Sequence, residues 1–300
     1  MEDGVLHLRR CLVTSRSLIT KIESAGLNLD VLMQRVSLAL AEDIRDGDLT
    51  SIATVDKDQV SNARFTARKP GVISGLIVAA AVLEECGAIT YQFHSEDGDE
   101  VKTGDVILSC EGSTRSILLA ERTALNFLTH LSGIASLTRK WTEEITGTKT
   151  KIRDTRKTIP GLRELEKYAV RCGGGTNHRM TLTDAALIKD NHIAAVGSLS
   201  RAVERVRARF PNTEIEVEAD TLEQVREALE LKVDLILLDN MSIEETQRAV
   251  AITAGSSTKL ESSGGLTLDV AAAYAATGVD YLAIGALTHS APALDIGLDF

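Results

Sequence analysis

A rhythm in the second half of the chain constrains its fold more than any other feature. Short strand-like runs at 152–155, 185–189, 215–219, 233–239, 259–263 and 279–285 alternate with amphipathic stretches at 199–210, 221–231, 243–254 and 268–277. The residues that close the last four runs, Glu218, Asp239, Ser263 and Gly285, follow one another at steps of 21, 24 and 22. A parallel strand needs a long crossover, usually a helix, to bring the chain back to the same edge, so even spacing of this size predicts a parallel β/α barrel. An open doubly wound sheet is the alternative that periodicity leaves. Only six such runs are readable, which argues against a closed eight-stranded barrel.

The first half reads as mixed α and β. A helix is expected over 29–41, ending in the acidic turn 42–48. Short strands are expected at 61–67, 72–74, 91–93 and 105–111, with a helix over 79–86 closed by Gly87. A further helix over 117–131, stopped by Gly133, is the candidate bridge between two domains. The longest uncharged apolar run, Leu76 to Leu83, has eight residues, far from the ~20 of a membrane span. No apolar leader follows the charged N-terminus, so the expected location is the cytoplasm, with no membrane partner.

Charge narrows the choice of partner. Thirty-three Lys and Arg against 43 Asp and Glu give a net −10, which opposes nucleic acid as the main partner. Within this acidic chain, Arg153 to His192 carries eight basic residues against five acidic ones, an island of net +3. The four cysteines, Cys11, Cys86, Cys110 and Cys172, show no ligand or disulfide-framework spacing and read as buried thiols.

On a β/α barrel the C-terminal strand ends converge at the mouth, where catalytic side chains gather. Arg156, Lys157, Lys189, Glu218 and Asp239 all lie at or just past such ends. Cations beside two carboxylates suit a substrate with several negative charges and a hydroxylated or metal-carrying part. Ser263-Gly264-Gly265 and the run from Gly285 to His289 fit the phosphate-holding loops after the last strands, so the suggested ligand is a phosphorylated sugar. Gly173 to Gly175 would let the backbone bring His178 and Arg179 close to a ligand. Arg163 and Lys167, with Glu164 and Glu166 nearby, read as a solvated helix face, and His94 and His130 as structural histidines.

Against this frame, the stretch Asp154-Thr-Arg-Lys-Thr-Ile-Pro-Gly161, with Cys172-Gly-Gly-Gly-Thr-Asn-His-Arg179, Asp184 and Leu187-Ile-Lys-Asp-Asn-His192, closely resembles the nicotinate-nucleotide pyrophosphorylase (quinolinate phosphoribosyltransferase) family. The likeness takes in Leu40-Ala-Glu-Asp43, Gly47-Asp-Leu-Thr-Ser51, Glu121-Arg-Thr-Ala-Leu-Asn126 and His130-Leu-Ser-Gly133 upstream. Downstream it takes in Glu216-Val-Glu218, Leu238-Asp-Asn240, Glu261-Ser-Ser-Gly-Gly265 and Gly285-Ala-Leu-Thr-His289. It implies an N-terminal extension over 1–28, an α/β domain over 29–132, and an incomplete parallel β/α barrel over 133–300 whose C-terminal tail is free to pack back on the first domain.

The implied activity is phosphoribosyl transfer from phosphoribosyl pyrophosphate to quinolinate with decarboxylation, a pentosyltransferase step of NAD biosynthesis that requires Mg²⁺. By resemblance, Arg122, Arg156, His178, Arg179 and Lys189 would bind quinolinate. Lys157, Glu218 and Asp239 would serve the phosphoribosyl pyrophosphate and its Mg²⁺, with Glu218 and Asp239 the metal-side carboxylates. Ser263, Gly264, Gly265, Gly285 and His289 would hold the 5′-phosphate. The resemblance also implies a homodimer in which Arg122 is supplied by the partner subunit. Two rivals are a Schiff-base aldolase using Lys189 and a non-catalytic nucleotide-binding relative. The arginines beside Lys189 argue against the first, and the complete set Arg122, Lys157, Lys189 and Glu218 against the second.

Overall fold

The computed structural model describes residues 14–44, 47–87 and 89–300. The chain forms two compact units. The first runs to Leu137 and adds Ile159–Gly173 and Ser290–Phe300; the second comprises Thr138–Thr158 and Gly174–His289.

The first unit is built on a four-stranded antiparallel sheet in the order Ile296–Asp299, Val60–Ala67, Val106–Ser113, Ile89–Phe93. The helix Leu76–Cys86 packs against it and against the helices Arg16–Ser24 and Leu29–Asp43, burying every residue from Leu76 to Leu83. Gly75, at φ +99°, turns the chain into this helix but offers no side-chain cap. Asp97 does so instead: its Oδ1 accepts the Leu76 N–H at 2.9 Å, and its Oδ2 accepts the Tyr168 hydroxyl at 2.8 Å. An acceptor at the positive end of the helix satisfies donors that burial would otherwise orphan.

Several expectations change here. The helix Arg16–Ser24 is no loose extension, because Leu18 and Ile22, one turn apart, are buried. Residues 49–54, beyond the acidic turn, form a short helix capped by Asp48. Gly133 does not stop a helix: one helix runs from Thr114 to Glu144, and a Cβ at Gly133 would lie 2.2 Å from the Pro292 carbonyl oxygen. That glycine is there because the returning C-terminal tail crosses it, with the Leu294 N–H on the Thr129 carbonyl at 2.9 Å. The helix Arg163–Cys172 is not a solvated face either, since Glu166 and Lys167 are fully buried. Glu166 accepts from His130 Nε2 at 3.0 Å and from the Ile159 N–H at 3.1 Å. The compact units divide the chain at 137/138, and 159–173 and the tail belong to the first unit.

The second unit is a six-stranded parallel sheet in the order Lys151–Arg153, Tyr281–Ala283, Lys259–Ser263, Leu235–Asp239, Ile215–Ala219, Ala186–Ile188. The first strand in sequence pairs with the last, while the others follow in order. That is the wrapping of a barrel, not the mid-sheet reversal of a doubly wound fold. A single parallel bridge from Thr176 to Arg153 extends the wall, and no strand pairing joins it to Ala186–Ile188 among the described residues. The helices Leu199–Arg209, Leu222–Glu230 and Ile243–Thr253 are the crossovers, each opened by a Ser or Thr side-chain cap. Along Ile215–Ala219, Ile215, Val217 and Ala219 are buried on one face, leaving Glu216 and Glu218 to the other.

Among the described cysteines, Cys110 is buried while Cys86 and Cys172 are half-buried, not fully buried as expected. Burial pushes the thiols of Cys86 up to about 12 and of Cys110 and Cys172 up to about 11. Cys11 lies outside the described residues.

Candidate active site

In the second unit the C-terminal strand ends carry the expected residues in four groups. Lys189, the N-cap of the helix Asp190–Val196, has its backbone N–H accepted by His192 Nδ1 at 3.0 Å and its Nζ on Glu218 Oε2. The two residues come together because Leu187 pairs with Glu216 and Ile188 with Val217 in the register of the parallel strands.

The second group is the pair Arg156 and Arg179. Arg179 Nη1 donates to the Ala185 carbonyl at 2.8 Å, while the Nε atoms of both arginines are buried with no hydrogen-bond partner. Burial, then the neighbouring Arg156, disfavour the charge on Arg179; Glu216 and Asp184 offset part of this. Asp184 holds the turn beyond Arg179 by accepting the N–H groups of Met180 at 2.8 Å and Thr181 at 2.9 Å. Two neighbouring guanidinium groups, each with an unused Nε donor, have the chemistry to accept an anion.

The third group places phosphate-type geometry beside a carboxylate. Gly264, at φ +94°, lies so close to Asn240 that a Cβ would meet its Oδ1 at 2.3 Å, and the Asn240 N–H donates to the Ser263 carbonyl at 2.9 Å. Asn240 Nδ2 in turn donates to Asp239 Oδ2 at 2.9 Å. The fourth joins Lys157 to the last loop: a Cβ at Gly285 would sit 2.9 Å from Lys157 Cδ and 3.4 Å from His289 Nε2, and the Thr288 hydroxyl donates to the Lys157 carbonyl at 2.8 Å. Arg122 is not among these groups; it is exposed on the long helix, within the first unit.

Beneath the strand ends lies a layer of which the sequence reading gave only His178 a role. His178 Nε2 is 2.7 Å from Glu216 Oε2 and 3.8 Å from Glu261 Oε1, and Arg153 Nη1 donates to Glu261 Oε2 at 2.9 Å. Burial first, then the charge of Glu216, push the Glu261 carboxyl up to about 7, against the pull of His178 and Arg153. Asp154, fully buried, accepts the His178 N–H at 2.8 Å and the Asn177 side-chain amide, which fixes where His178 stands. The signal was present: Glu216 sits two residues from Glu218, and Glu261 two from Ser263, on the same strand faces. A cavity of about 340 Å³ adjoins this layer, lined by Arg153, His178, Arg179 and Glu216 together with Glu214 and Leu235 at the starts of their strands, and Arg156 and Lys189 are not in its lining.

Oxygen donors for a hard cation are present. Asp239 is a half-buried carboxylate with one hydrogen bond from Asn240, which suits a magnesium ion that keeps most of its shell as water and substrate oxygens. Glu218 is already paired with Lys189. The clustered set His178, Glu216 and Glu261 suits magnesium less, because one ligand is nitrogen and Arg153 already neutralises Glu261.

This constellation has relatives. Residues 48–132 match the N-terminal domain, and residues 134–299 the C-terminal domain, of quinolinate phosphoribosyl transferase. The chain is 51% identical over 276 residues to a nicotinate-nucleotide pyrophosphorylase [carboxylating] of Mycobacterium leprae, covering 90% of this chain and 97% of that protein. It is 38% identical over 288 residues to a mitochondrial quinolinate phosphoribosyltransferase [decarboxylating] of Nicotiana glauca, covering 89% of this chain and 81% of the relative. The solved nicotinate-nucleotide pyrophosphorylase of Francisella tularensis superposes with a TM-score of 0.88 at 39% identity, covering 91% of this chain and 97% of that one. With both domains matched and the arginine pair, acidic strand ends and glycine loops in one barrel, the chain belongs to the quinolinate phosphoribosyltransferase family.

Proposed function

We propose that this protein transfers the phosphoribosyl group of phosphoribosyl pyrophosphate to quinolinate and decarboxylates the adduct, giving nicotinate mononucleotide, pyrophosphate and CO₂ for NAD synthesis. The observation that carries the reading is the pair Arg156 and Arg179, whose buried Nε atoms lack partners, in a family whose named members act on this substrate. A dicarboxylate supplies what the two guanidinium groups lack, and Lys189 adds a third cation.

The residues divide the work. Arg156, Arg179, Lys189 and His178 hold the dianion with its ring nitrogen toward the anomeric carbon. Lys157 and His289, with the backbone of Ser263 to Gly265 and Gly285, take the phosphates. As pyrophosphate leaves, positive charge develops on the ribose, and Glu218 and Asp239 favour it. Mg²⁺, held by Asp239 and substrate oxygens with Glu218 as a second carboxylate, would neutralise the pyrophosphate charge. The newly quaternised nitrogen then withdraws electrons from the bond to the 2-carboxylate, so no protein nucleophile is required.

The reading extends to a cytoplasmic homodimer in which Arg122 of one subunit completes the site of the other, and to no role for nucleic acid. Among the described residues no helix is long and apolar enough to cross a membrane. A Schiff-base aldolase is disfavoured because Lys189 is engaged by Glu218. The test is formation of nicotinate mononucleotide and CO₂ in equal amounts from quinolinate, phosphoribosyl pyrophosphate and Mg²⁺. Absence of both products with the Mg²⁺-loaded enzyme would overturn the assignment.

A further inference from the structure

The register of the parallel strands sets Asp239 opposite Ser263, and both segments leave the sheet there through left-handed backbone: Asn240 at φ +54°, Gly264 at +94° and Gly265 at +59°. Glycine takes such angles freely, and asparagine more readily than most side chains. Asn240 thus carries a side chain where glycine would satisfy the backbone. Its amide is engaged at both ends. Nδ2 donates to Asp239 Oδ2 at 2.9 Å, while Oδ1 lies so close to Gly264 that a Cβ there would meet it at 2.3 Å. A carboxylate accepts hydrogen bonds and cannot donate them, so the NH₂ group must face Asp239 and the oxygen Gly264. The backbone is pinned as well. The Asn240 N–H donates to the Ser263 carbonyl at 2.9 Å, and the Met241 carbonyl accepts the Tyr274 hydroxyl at 2.9 Å.

Asp239 differs in its partner from the other carboxylates at the strand ends. Glu218 is paired with Lys189 and Glu261 with Arg153, whereas Asp239 meets a neutral amide. A neutral donor directs one carboxylate oxygen and leaves the negative charge uncancelled, which is what a hard cation or a developing ribose charge needs. We propose that Asn240 is a positioning residue that orients the Asp239 carboxylate toward Mg²⁺-loaded phosphoribosyl pyrophosphate, and that position 264 is a glycine so that this amide can stand beside it. The contacts run in one line, from Gly264 through the amide to Asp239.

This inference rests on the quinolinate reading, which gives Asp239 its part. Two replacements separate side chain from backbone: Asn240→Gly keeps the left-handed angle and deletes the amide, while Asn240→Asp keeps the size and turns an acceptor on a carboxylate. The measurement is calorimetric binding of Mg²⁺-loaded phosphoribosyl pyrophosphate to the whole protein with phthalate present, a dicarboxylate that has no ring nitrogen to react. Quinolinate binding alone and steady-state turnover are measured beside it.

Asn240→Gly should weaken phosphoribosyl pyrophosphate binding, and raise its KM, by about 10- to 100-fold, the worth of one hydrogen bond to a charged group. Asn240→Asp should weaken it at least as much, and quinolinate affinity should stay near wild type in both. In an Asp239→Ala background the exchange of Asn240 for glycine should change binding by less than about threefold, because the group it orients is gone. Wild-type behaviour of Asn240→Gly would reduce the residue to a backbone device and overturn the proposal. So would an equal loss with and without Asp239, or a parallel loss of quinolinate affinity. If the wild-type enzyme makes no nicotinate mononucleotide from quinolinate, the reading of the reaction falls, and this proposal with it; if it does and Asn240→Gly matches it, the proposal alone falls.

Discussion

At the scale of single residues, the proposed role of the arginine pair in binding makes a direct prediction. Burial and the neighbouring Arg156 disfavour the charge on Arg179, and each of the two arginines keeps a buried Nε without a hydrogen-bond partner. Removing one leaves a desolvated substrate carboxylate unpaired, at about 2–5 kcal/mol, so Arg179→Ala should weaken quinolinate binding roughly 30- to several-thousand-fold by calorimetry. Unchanged affinity would remove Arg179 from the site. Glu166 makes a different prediction. Its two oxygens serve His130 and the Ile159 N–H in a fully buried position, so Glu166→Ala should cost about 1–3 kcal/mol for each group left unsatisfied. A denaturant midpoint identical to wild type would contradict this. Glu166 and Lys167 were illegible from the chain because charged residues at helical spacing usually face water, and only the packing of their helix shows otherwise. The gathering of Arg156 and Arg179 was legible, because clustered cations in an acidic chain require a reason.

At the scale of elements, hydrophobic periodicity located the barrel strands well. The runs at 215–219 and 259–263 have the observed bounds, while 279–285 shrinks to Tyr281–Ala283. Val279 and Asp280 fall before its first residue, while Ile284 and Gly285 lie past its C-terminal end, on the side of the mouth. Glycine was harder to read, because the same residue ends helices and admits close neighbours. Gly133 lies inside the helix Thr114–Glu144, where exchange for alanine ordinarily stabilises by about 0.5–1 kcal/mol. Here the added Cβ would meet Pro292 O at 2.2 Å, backbone that cannot swing aside. Gly133→Ala should therefore destabilise, by about 1–3 kcal/mol. The sign of the shift in urea midpoint decides between a helix glycine and a crossing point. Gly264→Ala, against Asn240 at φ +94°, should displace the loop and raise KM for phosphoribosyl pyrophosphate while leaving quinolinate affinity near wild type. A reversed split would place the loop on the acid side of the site.

At the scale of the whole molecule, the division into units was only partly legible, since the segments 159–173 and 290–300 join the first unit through contacts distant in sequence. Arg122 raises the remaining question at this scale. It is exposed on the long helix of the first unit, whereas every other proposed ligand belongs to the barrel. A two-fold homodimer would let each subunit lend one cation to its partner's site and help exclude water. Complementation tests this directly. Arg122→Ala and Lys157→Ala should each be nearly inactive as homodimers. A mixed dimer contains one site with both residues intact and one lacking both. With free subunit exchange about half of the dimers are mixed, so activity should return to roughly a quarter of wild type under isologous pairing. Each variant incubated alone through the same exchange should stay inactive, which separates complementation from recovery of one variant. If verified exchange restores nothing, Arg122 serves its own subunit or none, and the shared site is wrong.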